Sequence, residues 1–147
     1  MIEPPLVLDA AGLDALAASR PPDMFRALLA EAHRRRREVI APTIVCAEVA
    51  RGRRRTRALE AAVSRHDRSR GERPAVRLVN TDFHLARQVG AILDQTRRGT
   101  EHIVDAHVVA VCIPSGGGLV VTADPDDIAE LAAAVPAARI RSVQPSG

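Results

Sequence analysis

At 147 residues, 46% of them hydrophobic and with no apolar stretch near the ~18 residues of a membrane span, the chain reads as one soluble domain over residues 1–147. Its net charge of +3 rests on 21 basic residues that are all arginine, and the absence of lysine excludes a Walker A loop, a Schiff-base lysine and a kinase-type phosphate lysine. No basic region followed by an apolar core marks the N-terminus, so the expected location is the cytoplasm; Cys46 and Cys112 lack a C-x-x-C spacing and read as buried free thiols.

Leu6 to Leu8 is a short apolar strand stopped by Asp9, and a short helical pattern follows. Pro21-Pro22-Asp23 starts a helix that carries Met24, Leu28 and Ala32, joined by Phe25 and Leu29, at helical spacing. Glu38 to Ala41 is a second strand ending at Pro42, Thr43 to Arg51 a helix closed by Gly52, and Arg55 to His66 another helix. Asp67 to Pro74 is polar and reads as a loop, and Ala75 to Val79 as the third strand. A long helix runs from Thr81, as N-cap, to Gly99, with Leu85, Val89 and Ile92 on one face. Ile103 to Ile113 is an apolar helix ended by Pro114 and a glycine turn at 116–118; Leu119 to Thr122 is a strand, Pro125 to Ala134 a helix and Arg139 to Val143 the last strand. This alternation predicts an α/β fold: three layers, helices on both faces of a central, mostly parallel sheet of four or five strands. Ligands of such sheets gather at the carboxyl ends of the strands beside the topological switch point, which is where Asp9 and Asp124 fall.

Four acids stand where a bare charge is costly. Asp9 closes a strand, Glu48 is the only charge in its helix before Arg51, Asp105 lies within Ile103 to Ile113, and Asp124 follows Val120-Val121-Thr122-Ala123. Each has a plainer alternative: Glu48 could point outward, Asp105 could complement a helix dipole, and Asp124 before Pro125 is a good helix entry. Together they suggest a hard divalent cation, Mg²⁺ or in its place Mn²⁺, since clustered carboxylates would otherwise repel one another. Arginine clusters at Arg34 to Arg37, at Arg51, Arg53, Arg54, Arg55 and Arg57, and from Arg65 to Arg73; these favour a polyanion, against the plainer reading of a GC-rich genome that replaces lysine on solvated faces. A metal-dependent acidic centre in arginine surroundings suggests phosphodiester hydrolysis. With Phe25 and Phe83 as the only aromatics, aromatic stacking platforms for bases are excluded.

The segments Leu6-Val7-Leu8-Asp9, Ala47-Glu48-Val49-Ala50-Arg51-Gly52, Ile103-Val104-Asp105-Ala106-His107 and Thr122-Ala123-Asp124-Pro125-Asp126-Asp127, in that order, resemble the PIN-domain family. More narrowly the chain, over roughly residues 5–143, looks like the VapC-type ribonuclease toxins of toxin–antitoxin pairs. The resemblance implies that Asp9, Glu48, Asp105 and Asp124 are the catalytic, metal-binding acids, that Thr122 steadies them through its hydroxyl, and that Asp127, or alternatively Asp126, assists. It further implies a structured RNA substrate such as tRNA or rRNA, a homodimer, and a VapB-type antitoxin whose C-terminal segment covers the site with an arginine near the acids. Ala10-Ala11 departs from the Ser or Thr and then Asn of many relatives, which puts a supporting hydrogen bond in doubt. A non-catalytic RNA-binding or assembly module on the same fold and a DNA-directed nuclease are the competing readings. His107, two residues from Asp105, reads as a packed or surface residue on another helical face; His33, His66, His84 and His102 show no zinc spacing, and the run Ser115 to Gly118 reads as a turn rather than a phosphate cradle.

Overall fold

The computed structural model describes residues 3–67 and 73–146. In chain order the strands are β1 (Leu6–Leu8), β2 (Val39–Pro42), β3 (His66–Asp67), β4 (Arg73–Pro74), β5 (Arg77–Val79), β6 (Gly117–Val121) and β7 (Arg139–Val143). The helices are α1 (Ala10–Ala17), α2 (Asp23–Arg34), α3 (Cys46–Val49), α4 (Arg53–Ser64), α5 (Phe83–Thr96), α6 (Ile103–Ala110) and α7 (Pro125–Ala132).

Five strands form one parallel sheet in the order β5-β2-β1-β6-β7. β1 is central and wholly buried; Leu6 and Val7 register with Val39 and Ile40 of β2, and Leu6, Val7 and Leu8 with Leu119, Val120 and Val121 of β6. That burial on both faces is why the strand is an unbroken apolar run rather than an alternating one. The chain builds outward from β1 through β2 to β5, then crosses back to β6 and β7, so the switch point lies between β1 and β6. Helices α1, α3 and α4 pack on one another, α5, α6 and α7 form the second helical group, and the whole is the expected three-layer α/β/α arrangement. Phe25, Leu13, Ile128 and Leu131 fill the space between helices and sheet, each contributing roughly 1.5–3 kcal/mol by leaving water. Among the described residues no helix is long and apolar enough to cross a membrane.

Several boundaries differ from the sequence expectation, each for a local reason. The predicted helix Thr43 to Arg51 is a 3₁₀ turn, Thr43–Val45, followed by the four-residue α3, because Pro42 and three consecutive β-branched residues give a poor start to a regular helix. Gly52, at φ 82°, turns the chain so that α4 begins at Arg53 rather than Arg55. The N-cap of α5 is Asp82, whose carboxylate accepts from the Leu85 N–H at 2.8 Å, rather than Thr81; the helix ends at Thr96, with Arg97 left-handed at φ 56°, rather than at Gly99. The helix predicted to reach Ile113 ends at Ala110. The helix predicted to reach His66 ends at Ser64; His66–Asp67 instead pairs antiparallel with Arg73–Pro74 across the ends of the expected loop, most of which lies outside the described residues. Strand β6 starts at Gly117, so two of the three glycines belong to the sheet; Gly118 sits where a Cβ would be 2.9 Å from the Cys112 sulfur. The turn itself is Ser115 and Gly116, and Gly117 and Gly118 lie at the amino end of β6, the opposite end from Thr122.

Candidate active site

Asp9 leaves the carboxyl end of β1 and is the N-cap of α1, its carboxylate accepting the Gly12 N–H at 3.2 Å. Gly12 permits this closeness: a Cβ there would lie 3.0 Å from Leu8 Cβ and 3.3 Å from the Val121 carbonyl oxygen, so α1 is seated directly on β1 and β6. Burial, to 9% exposure, raises the Asp9 pKa above the ordinary carboxylate value, and hydrogen bonds from Thr122, Gly12 and Ala11 partly offset this. Nearby Asp124 adds to the rise.

Thr122, at the carboxyl end of β6, is 1% exposed. Its hydroxyl oxygen accepts the Asp124 N–H at 3.0 Å while the hydroxyl bonds the Asp9 carboxylate, so one side chain ties together the ends of the two strands that flank the switch point. Asp124 occupies the N-cap position of α7 but makes no capping bond with its side chain, which leaves an exposed, unspent carboxylate. Asp124 is thus the helix entry before Pro125, but its side chain caps no backbone N–H.

Asp105 lies half-buried in the first turn of α6, and its pKa is pushed up to about 6. Burial is the largest cause; the negative charges of Asp9, Asp127, Glu48 and Asp124 follow in that order. The four sequence-nominated acids and Asp127 thus share one electrostatic neighbourhood around Asp105. Glu48 is exposed on α3, as its plainer alternative has it, and its charge is among those that raise the Asp105 pKa. Asp126 is also exposed.

The distances within the group are uneven. No three of Asp9, Glu48, Asp105 and Asp124 bring ligand atoms within 4.8 Å of one another; His102, Asp105 and Asp127 do. His102 ends the 3₁₀ turn Thr100–His102 that leads into α6. Sequence reasoning set it aside for want of a zinc motif, although its i, i+3 relation to Asp105, which places both on one helical face, was a usable signal. His107 by contrast is buried in the core, where Nδ1 bonds the Ile103 carbonyl at 2.7 Å, in agreement with a packed residue.

Oxygen donors gathered around a carboxyl that resists ionisation are what a divalent cation would relieve, and the set suits Mg²⁺ or Mn²⁺. None of the five acids is paired with an arginine among the described residues. The chain matches the family described as PIN domain over residues 7–134. No curated protein matches it.

Proposed function

The chain belongs to the PIN-domain family, and on that premise we propose that it is a divalent-metal-dependent endoribonuclease of the VapC type. In this reading residues 1–147 form a single cytoplasmic toxin domain, act as a homodimer on a structured RNA such as tRNA or rRNA, and are silenced by a VapB-type antitoxin. PIN domains are in general metal-dependent nucleases. The observation that carries the reading is the family match over residues 7–134, supported by the negative charges of Asp9, Asp127, Glu48 and Asp124 that all bear on Asp105.

Asp9, Glu48, Asp105 and Asp124 would hold Mg²⁺, or Mn²⁺ in its place, and a bound ion supplies an acidified water and neutralises charge developing on a scissile phosphate. Thr122 keeps the Asp9 carboxylate aimed from the end of β1, and Asp127 adds a further oxygen donor beside Asp105. Glu48 and Asp124, exposed and without arginine partners among the described residues, suit the approach of an antitoxin arginine as well as of substrate. Support for a polyanionic substrate comes from α4, whose first turn holds Arg53, Arg54 and Arg55 and no acid. Positive charge at a helix N-terminus opposes the helix dipole and becomes favourable when an anion binds there.

The test is cleavage of RNA by the purified protein in Mg²⁺, in EDTA and as Asp9→Asn. Cleavage that requires the metal and falls at least about 100-fold in the variant is expected, in line with loss of a principal charge-stabilising group. Undiminished cleavage by Asp9→Asn would sink the assignment. Metal-independent RNA binding without turnover would indicate the assembly-module alternative, and preferential cutting of DNA of matched sequence the DNA-directed one.

A further inference from the structure

We propose that His102 supplies a ring nitrogen to the same cation site as Asp105 and Asp127, making the site of this chain a mixed nitrogen–oxygen one instead of all-carboxylate. The inference rests on the reading above that Asp105 binds a divalent ion. His102 and Asp105 stand one turn apart across the start of α6, and Asp127 comes from the first turn of α7, which packs on α6. One donor atom from each lies within 4.8 Å of the others. Donors around one ion with bonds of about 2.1 Å are about 3–4.2 Å apart, so small side-chain rotations complete the set.

The imidazole is also held in place. Nη1 of Arg98 lies 3.5 Å from Nε2 of His102, and Arg98 is itself paired with Glu130 of α7, while Glu101 stands 3.9 Å away on the solvent side. The His102 side chain is only 22% exposed, so it is packed beside the acids instead of ranging through solvent. A ligating imidazole donates its other ring N–H to an acceptor, a role that the Glu101 carboxylate can take and Arg98, which only donates, cannot; Arg98 restrains the ring.

The consequence is selectivity. Carboxylates alone suit Mg²⁺, whereas an imidazole raises the relative affinity for transition ions such as Mn²⁺. Pulsed electron paramagnetic resonance of the Mn²⁺ complex of the full chain, without RNA, reads nitrogen ligation directly. The wild-type spectrum is expected to show ¹⁴N coupling that disappears in His102→Gln and persists in His84→Gln, which alters an exposed histidine. In titrations His102→Gln loses about 10- to 100-fold in Mn²⁺ affinity and less in Mg²⁺ affinity. Bound Mn²⁺ without nitrogen coupling in the wild type, or coupling that survives in His102→Gln, overturns the inference and leaves the nuclease reading standing. Failure of the wild type to bind either ion overturns both. The wild-type spectrum decides even if the variant does not fold.

Discussion

Thr122 shows how much of the site depends on one hydroxyl. It is buried, it bonds the Asp9 carboxylate, and its oxygen accepts the Asp124 N–H, so Thr122→Val keeps the volume but leaves two polar groups short of a partner. The expected loss is about 1–3 kcal/mol in urea unfolding, with Thr122→Ser retaining most of the stability. Asp105 makes a prediction of the opposite sign. In the metal-free protein its carboxyl titrates at about 6 instead of 3.8, so between those values the folded chain holds a proton that the unfolded chain has released. Stability in EDTA therefore falls as pH rises from about 4 to about 6 and levels off above, and Asp9, also raised, acts in the same direction. Asp105→Asn removes its share of this fall and, because the group is only half-buried, is expected to raise stability at pH 7 by roughly 1 kcal/mol. Urea midpoints in EDTA at pH 4.5 and 7 check this. Added Mn²⁺ should stabilise the wild type and not the variant, because only a state that binds the ion gains from it.

The elements differ in how openly the sequence announced them. The buried β1 and the amphipathic α2 and α5 were legible because their apolar spacing extends over several residues and tertiary packing confirms it. The split of α3, the 66–74 pairing and the Asp82 cap were not, since each is decided by one or two residues whose alternatives differ by less than about 1 kcal/mol. The same division runs through the site: Asp9 stood out as a charge ending an apolar strand, whereas Asp127 was favoured over Asp126 on family resemblance alone, and its closeness to Asp105 depends on how α7 packs on α6. Two glycines turn this into a measurement. In Gly12→Ala the new methyl presses on Leu8 and on the Val121 backbone, which lifts α1 and is expected to cost about 1–3 kcal/mol. Gly90 is exposed within α5 with nothing within 4 Å of a built Cβ, so Gly90→Ala is expected to gain about 0.5–1 kcal/mol. Thermal unfolding of both variants reads the contrast, and a neutral Gly12→Ala would mean that α1 is not fixed by its contact with the strands.

Across the whole molecule the arginines, uniform in sequence, divide into two populations. Arg34 and Arg35 share Glu31, Arg35 also meets Glu3, Arg77 pairs with Glu38 and Arg98 with Glu130. On the face that begins three residues after Glu48, Arg55 alone pairs with a carboxylate, Asp14, while Arg51, Arg53, Arg54 and Arg57 have none among the described residues and are all exposed. The Arg65 to Arg73 cluster lies largely outside the described residues. Phosphate contacts release counterions, so each arginine that meets the RNA backbone adds about 0.7 to the slope of log affinity against log salt for single strands. Binding measured in the Asp105→Asn background, which should not cleave, separates the two populations. Arg53→Gln with Arg54→Gln is expected to lower the slope by about 1–1.5, and Arg34→Gln with Arg35→Gln to leave it nearly unchanged, because those guanidiniums already face carboxylates. Equal effects from both pairs would mean that the arginines act through net charge alone, and that the face beside Glu48 has no privileged place in carrying substrate to the acids.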